Sequence, residues 1–177
     1  MIKKSLAVLA ASALMFAAGA QAAPVTWNLQ NWTFDDGGTA SGSFVFDATT
    51  GQYSNVSVQS TTGSVRAGAS YDRPNPASAG NATFASWVTG LFADYTNTPV
   101  IAVNWDSALT DAGGTVAVNL GGFHGEFGCS NAICAGGTAP SRLLTSGAVT
   151  TAEVPLPATL PLVGLALAML GAVRRRR

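Results

Sequence analysis

GSFVFDATTGQYSNVSVQS, residues 42–60, is the stretch on which the fold of this 177-residue chain turns. Phe44 and Phe46 are two apart, so on an extended backbone both rings fall on one face. DATTG, residues 47–51, carries the Asp and Gly that a reversal favours. A second extended run follows over residues 53–59. The pattern predicts a β-hairpin with an aromatic inner face.

The flanking sequence has the same character. VTWNLQNWTF, residues 25–34, alternates Val25, Trp27 and Leu29, then changes parity to Trp32 and Phe34. A change of parity inside a strand predicts a β-bulge near Gln30 and Asn31. DDGG, residues 35–38, reads as a turn. Downstream, SVRAGASYDRPNPASAGN (residues 64–81) reads as a long polar loop. Phe84, Trp87, Val88, Leu91 and Tyr95 fit helical spacing, but Thr89-Gly90 interrupts it, and strands are the preferred assignment. PVIAVNW (residues 99–105) and TVAVNL (residues 115–120) are expected strands, with DAGG (residues 111–114) as the turn before the second. SRLLTSGAVTTAEV (residues 141–154) supplies a final strand or two. Many short strands separated by turns predict an all-β body over residues 23–152, an antiparallel β-sandwich or jelly roll.

Both ends of the chain differ from this body. Lys3 and Lys4 precede an apolar run over residues 6–18 and an Ala20-Gln21-Ala22 exit. Those are the three parts of a secretory signal peptide, which places cleavage after Ala22 and exports the protein. The apolar run is shorter than the roughly 20 residues of a spanning helix. Setting the ends aside exposes a charge asymmetry that a net charge of zero conceals. Between Ala23 and Glu153 there are three basic residues, Arg66, Arg73 and Arg142, against nine acids, a net charge near −6. Phosphate binding needs clustered Lys and Arg, so nucleic acid is not an expected partner.

The C-terminal segment begins VPLPA and ends in Arg174, Arg175, Arg176 and Arg177. Ala158 to Val173 is sixteen residues without a charge. As a helix this run would span roughly 24 Å, and arginine stems can snorkel to cover the shortfall against a ~30 Å hydrocarbon core. Arginines mark the cytoplasmic side, which leaves the body outside and agrees with the signal peptide. A plain single-pass anchor would also satisfy these rules. The order of parts, however, resembles the PEP-CTERM sorting signal of Gram-negative, exopolysaccharide-producing bacteria. The match comprises the proline motif Val154, Pro155, Leu156, Pro157 and Ala158, then the apolar helix, then the four arginines. Leu156 stands where that family usually has Glu. The resemblance covers residues 153–177. It implies signal peptidase and an exosortase-type processing enzyme as partners, a transient inner-membrane tether, and delivery to the cell surface or extracellular matrix. It further implies a non-enzymatic role associated with exopolysaccharide in biofilm or floc formation. GGTASGSFVFDATTG and DAGGTVAV also resemble the bodies of other small proteins with this tail, and that likeness brings no activity with it.

Chemistry is sparse in the body. Cys129 and Cys134 enclose SNAI, and an exported pair predicts a disulfide, one contributing about 2 kcal/mol through loop closure. HGEFGC, residues 124–129, opens like a deaminase zinc site with His124 and Glu126, but the P-C-x-x-C half is missing. His124 is the only histidine, and no G-x-S-x-G surrounds a serine, so a Ser-His-Asp site has little support and His124 reads as a loop residue. Asp35 and Asp36 are turn residues before they are a calcium pair, since no D-x-D-x-D-G loop is present. No metal or cofactor is expected. Trp27, Trp32, Trp87 and Trp105 could include a sugar-stacking platform, although the parity of Trp27 and Trp105 favours burial. Asn31, Asn55 and Asn81 each open an N-x-S/T acceptor pattern. A carbohydrate-binding module is the alternative function, and a secreted hydrolase would need a cleft with two converging carboxylates.

Overall fold

Aromatic rings and β-branched residues at every second position build the fold strand by strand. The computed structural model of the protein describes residues 23–151; the expected signal peptide with Ala20 and Ala22, and the sorting signal with its proline motif and arginines, lie outside them. The described strands are β1 (Val25–Phe34), β2 (Thr39–Asp47), β3 (Gln52–Ser60), β4 (Ser70–Tyr71), β5 (Arg73–Pro74), β6 (Gly80–Asn81), β7 (Phe84–Val88), β8 (Pro99–Asn104), β9 (Thr115–Ala117), β10 (His124–Cys129) and β11 (Gly137–Thr151). No helix occurs among the described residues.

The hairpin of residues 42–60 is β2 paired with β3 around a turn closed by Gly51 N–H donating to the Asp47 carbonyl at 2.8 Å. Phe44 and Phe46 point inward and are fully buried. The expected bulge in β1 lies between Gln30 and Thr33, where Asn31 takes a positive φ of 54°. The extra residue lets Trp27 and Leu29 on one side of the bulge, and Trp32 and Phe34 on the other, all enter the same core. Residues 84–95 do not form a helix. Phe84–Val88 is a strand and the remainder is turn and loop, because Gly90 at a φ of 61° breaks any continuation.

Sheet order refines the expected architecture. The strands run β4-β3-β2-β1-β11-β10-β8-β7-β5 in one antiparallel sheet, with β6 added to β7 and β9 to β11. β4 and β5 stand at opposite ends of this order yet are separated in the chain only by Asp72, so the sheet is nearly closed. The fifteen-residue β11, one strand where one or two were expected, turns the sheet over. It pairs with β1 along one edge, and with β10 and then β9 along the other. The two halves thus face each other across a single core as one continuous wrap, where a sandwich would have two separate sheets. Across that core Trp87 lies 6.5 Å from Trp32 and 4.8 Å from Phe44, and Trp105 lies 6.0 Å from Phe44. Each such ring buries roughly 150–250 Å², which makes these contacts the main apolar contribution to stability.

Three expectations need correction. Residues 64–81 are not a bare polar loop. They contain β4, β5 and β6, and Tyr71 is buried in the core, because this segment must carry the chain from one edge of the sheet to the other. His124 is not a loop residue either; it begins β10, opposite Val103. TVAVNL is strand only over Thr115–Ala117, followed by a bridge from Val118 to Trp105.

The outward faces of the two halves differ. On the first half the outward positions are mostly polar, among them Thr26, Asn28, Gln30, Ser41, Ser43, Ser54, Ser57 and Gln59, with half-buried Val45 an apolar exception. On the second half they include Phe84, Val88, Val100, Ala102 and Phe127, and all of these but Val88 form the floor of the site described next.

Candidate functional site

Apolar outward positions on β7, β8 and β10 leave a pocket of about 280 Å³ on the second half of the sheet. Phe84, Val100, Ala102 and Phe127 floor it, and Phe123, 48% exposed, forms one wall with its ring 4.9 Å from that of Phe127. The turn after β5 and the segment between β10 and β11 complete the walls through Asn75, Ser78, Cys134 and Ala135. No charged residue lines it. An apolar pocket with a few polar groups suits a neutral ligand, and offers no nucleophile paired with a base.

The far wall is held by a covalent bond. Cys129 and Cys134 form the expected disulfide, with S–S at 2.01 Å. Asn75, 3% exposed, donates from Nδ2 to Ser86 Oγ at 3.2 Å and to the Cys134 carbonyl at 3.0 Å, tying the turn to the disulfide loop. Tyr95 N–H donates to the Ala132 carbonyl, and Asn97 N–H to that of Cys129. Thiol labelling of the denatured, unreduced protein is expected to find no reactive cysteine, and two after reduction. Labelling of both before reduction would remove the covalent wall from the site.

The strongest electrostatic feature lies inside the protein. Arg142 of β11 is fully buried and donates from Nη2 to Glu126 Oε2 at 2.8 Å. Its Nη1 reaches both Asp36 oxygens at 3.3 Å and the Thr61 carbonyl at 2.9 Å, and its guanidinium lies 4.3 Å above the Phe34 ring. Arg66 donates from Nε to Glu126 Oε1 at 3.4 Å and from Nη1 to the Pro140 carbonyl. Two cations and two anions therefore balance where the turn between β1 and β2, the segment after β3, β10 and β11 converge. Burial pushes the Asp36 carboxyl upward. Hydrogen bonds from the Gly38, Val65 and Arg66 N–H groups, with the Arg142 charge, outweigh that and hold it below the usual carboxylate range. Burial, reinforced by the Glu126 charge, pushes the Tyr71 hydroxyl well above its ordinary value. Space for the ions comes from glycine: a Cβ on Gly38 would stand 2.2 Å from Arg142 Nη1, and one on Gly63 2.2 Å from the Asp36 carboxylate.

The structure separates the other residues singled out from sequence. Glu126 is committed to the two arginines, His124 Nδ1 lies 2.7 Å from the Gly122 carbonyl, and both cysteine sulfurs are bonded to each other. The zinc-like HGEFGC string thus gathers no ligand set, and among the described residues no three potential ligands converge. Asp35 accepts from Leu143 N–H at 3.1 Å while Asp36 turns inward, so the adjacent carboxylates do not face a shared ion. All four tryptophans are buried and unavailable as a surface platform. Asn31, Asn55 and Asn81 are exposed. The one local mark of the buried ion cluster in the sequence is that Arg142 shares the parity of core residue Leu144. No protein-family model, curated protein or solved structure matches the chain.

Proposed function

We propose that this is an exported, non-enzymatic protein of the cell surface or extracellular matrix, delivered through its PEP-CTERM-like tail and associated with exopolysaccharide. The observation that carries the proposal is the ordered tail: the proline motif Val154, Pro155, Leu156, Pro157 and Ala158, then an uncharged run, then Arg174 to Arg177. Two features of the body support it. A disulfide at Cys129 and Cys134 suits an oxidising compartment outside the cytoplasm. The buried acids Asp36 and Glu126 are paired with arginines, which leaves them structural work in place of acid–base chemistry. We read the wrapped sheet as a relative of the β-sandwich, serving as a compact module that the two terminal signals address. A carbohydrate-binding module remains the second reading, favoured by the exposed Phe123 at the pocket wall.

The intact mass of the protein recovered from the surface of a producing cell tests the proposal. The expected mass lacks residues 1–22 and the four terminal arginines. Surface protein that still carries Arg177 would overturn the sorting role.

A further inference from the structure

The walls of the outward pocket are fixed before anything enters it. Phe123 is pinned through its backbone, its N–H donating to Asn104 Oδ1 at 2.7 Å and its carbonyl accepting from Asn104 N–H at 2.6 Å. Across the pocket, the disulfide closes the loop that carries Ala135, and Asn75 ties that loop to β7. Glycine lets the start of β11 close in on the floor: a Cβ on Gly137 would stand 2.9 Å from the Phe127 Cβ. A concave site held this way gives up little freedom on binding.

Ser86 supplies the chemistry. It lies between Phe84 and Val88 on the outward face of β7, opposite Ala102 of β8, and is 2% exposed. Its Oγ accepts from Asn75 Nδ2 at 3.2 Å. That amide is fully spent, since Nδ2 also donates to the Cys134 carbonyl and Oδ1 accepts from Ala77 N–H at 3.0 Å. The O–H of Ser86 finds no acceptor among the described residues. Buried polar groups are ordinarily paired, and leaving one unsatisfied is costly. Ser86 lines the pocket, so the pocket is where its partner can enter.

We infer that the pocket binds a small, neutral, largely apolar molecule through one carbonyl oxygen: a ketone, an ester or a lactone. The carbonyl accepts from Ser86 Oγ, and the hydrocarbon part lies against Phe84, Phe123 and Phe127. The class follows from the lining. An ion would give up its water for a pocket without a charged residue. A sugar fares little better, because the polar lining side chains are the spent Asn75 and the hydroxyls of Ser86 and rim-exposed Ser78. Most sugar hydroxyls would be stripped of water and left unpaired. A bare hydrocarbon fits but leaves Ser86 unsatisfied. A dry cavity of ~150 Å³ holds one benzene. About 280 Å³ therefore takes roughly eleven non-hydrogen atoms, one ring system with its carbonyl. This site stands apart from the sorting role and competes with the sugar of the second reading.

Titration of the full chain in lipid nanodiscs, read by the methyl NMR signals of Val100 and Ala102, tests the assignment. Equilibrium dialysis against empty nanodiscs fixes the free ligand. The probes are indanone and phthalide, a ketone and a lactone of suitable size, and indane, the same ring without the acceptor. Benzoate and methyl glucoside stand for the anion and the sugar. Indanone and phthalide are expected to shift both methyl signals saturably, and indane to bind about fivefold more weakly. Benzoate and the glucoside should leave both signals in place. Ser86→Ala should lower indanone to the affinity of indane, whose unchanged binding shows the pocket intact. Ala102→Phe fills the floor and should abolish binding of both, read at Val100. Failure of both carbonyl probes to shift the signals, equal affinities for indanone and indane in the unaltered protein, or benzoate bound as tightly as indanone would overturn the assignment. So would loss of both ligands alike in Ser86→Ala, or binding that survives Ala102→Phe. Shifts by the glucoside alone would also overturn it and give the pocket to the second reading. The sorting role is untouched by any of these results, since the fate of Arg177 decides it.

Discussion

Arg142→Ala is expected to cost about 3–5 kcal/mol of folding stability, the range for breaking a buried ion pair from one side. The side chain is fully buried, and its guanidinium is the shared partner of Glu126 and Asp36, whose carboxylates are equally covered. Alanine would leave two carboxylates in the interior with only Arg66 nearby, and would unseat the cation from the Phe34 ring. It would also free the Thr61 carbonyl, which Arg142 Nη1 now satisfies. Urea unfolding of residues 23–153 followed by tryptophan fluorescence measures the loss, since Trp32, Trp87 and Trp105 report on the core directly. Arg73→Ala is the control. Its pair with Asp72 is about as exposed as surface ion pairs usually are, so that change should stay within about 1 kcal/mol. Equal urea midpoints for the two variants would show that the buried cluster does not hold the segments together.

How far the sequence announces this structure depends on the range of the interaction. The hairpin at residues 42–60 is written locally, in the alternation of Phe44 and Phe46 and the Asp-to-Gly turn. The bulge in β1 is equally local, because moving Trp32 and Phe34 onto the face of Trp27 requires one extra residue. The disulfide is legible from the short spacing of Cys129 and Cys134 together with the expected export. What stayed hidden is long-range. Arg142 donates to Asp36, 106 residues away, and only the folded sheet brings them together. Residues 64–81 look like a loop because polar and proline-rich strands of two residues have no periodicity to detect. Their role in closing the sheet is set by β3 and β7, which offer free edges to Tyr71 and Arg73. The pocket is legible only in retrospect. Outward Phe84 and Val100 make β7 and β8 apolar on both faces, a pattern that from sequence alone reads as deeper burial, and Phe127 joins them from β10, whose inward face carries Glu126.

The proposed address lies in the tail, outside the described body, and Pro155 and Pro157 divide two accounts of that tail. If residues 153–177 were only an anchor, the uncharged run and the four arginines would hold the protein in the membrane whatever stood before them. In the sorting account, a processing enzyme reads the proline motif and the helix presents it at the outer membrane surface. Proline fixes φ near −65° and removes a backbone donor, so a proline-spaced segment is biased toward an extended form open to an enzyme's cleft. Alanine at both positions would restore helix propensity and the missing N–H groups, and in the sorting account would let the expected helix extend outward through the motif. Pro155→Ala together with Pro157→Ala is thus expected to abolish release in a host that makes the sorting enzyme. The protein should accumulate in the inner membrane with Arg177 attached, while the folded body keeps its disulfide and its urea midpoint. An antibody to the C-terminus, applied to membrane and surface fractions, reads the outcome. Undiminished delivery of the double variant to the surface would leave the tail as an anchor, and the prolines as no more than its outer boundary.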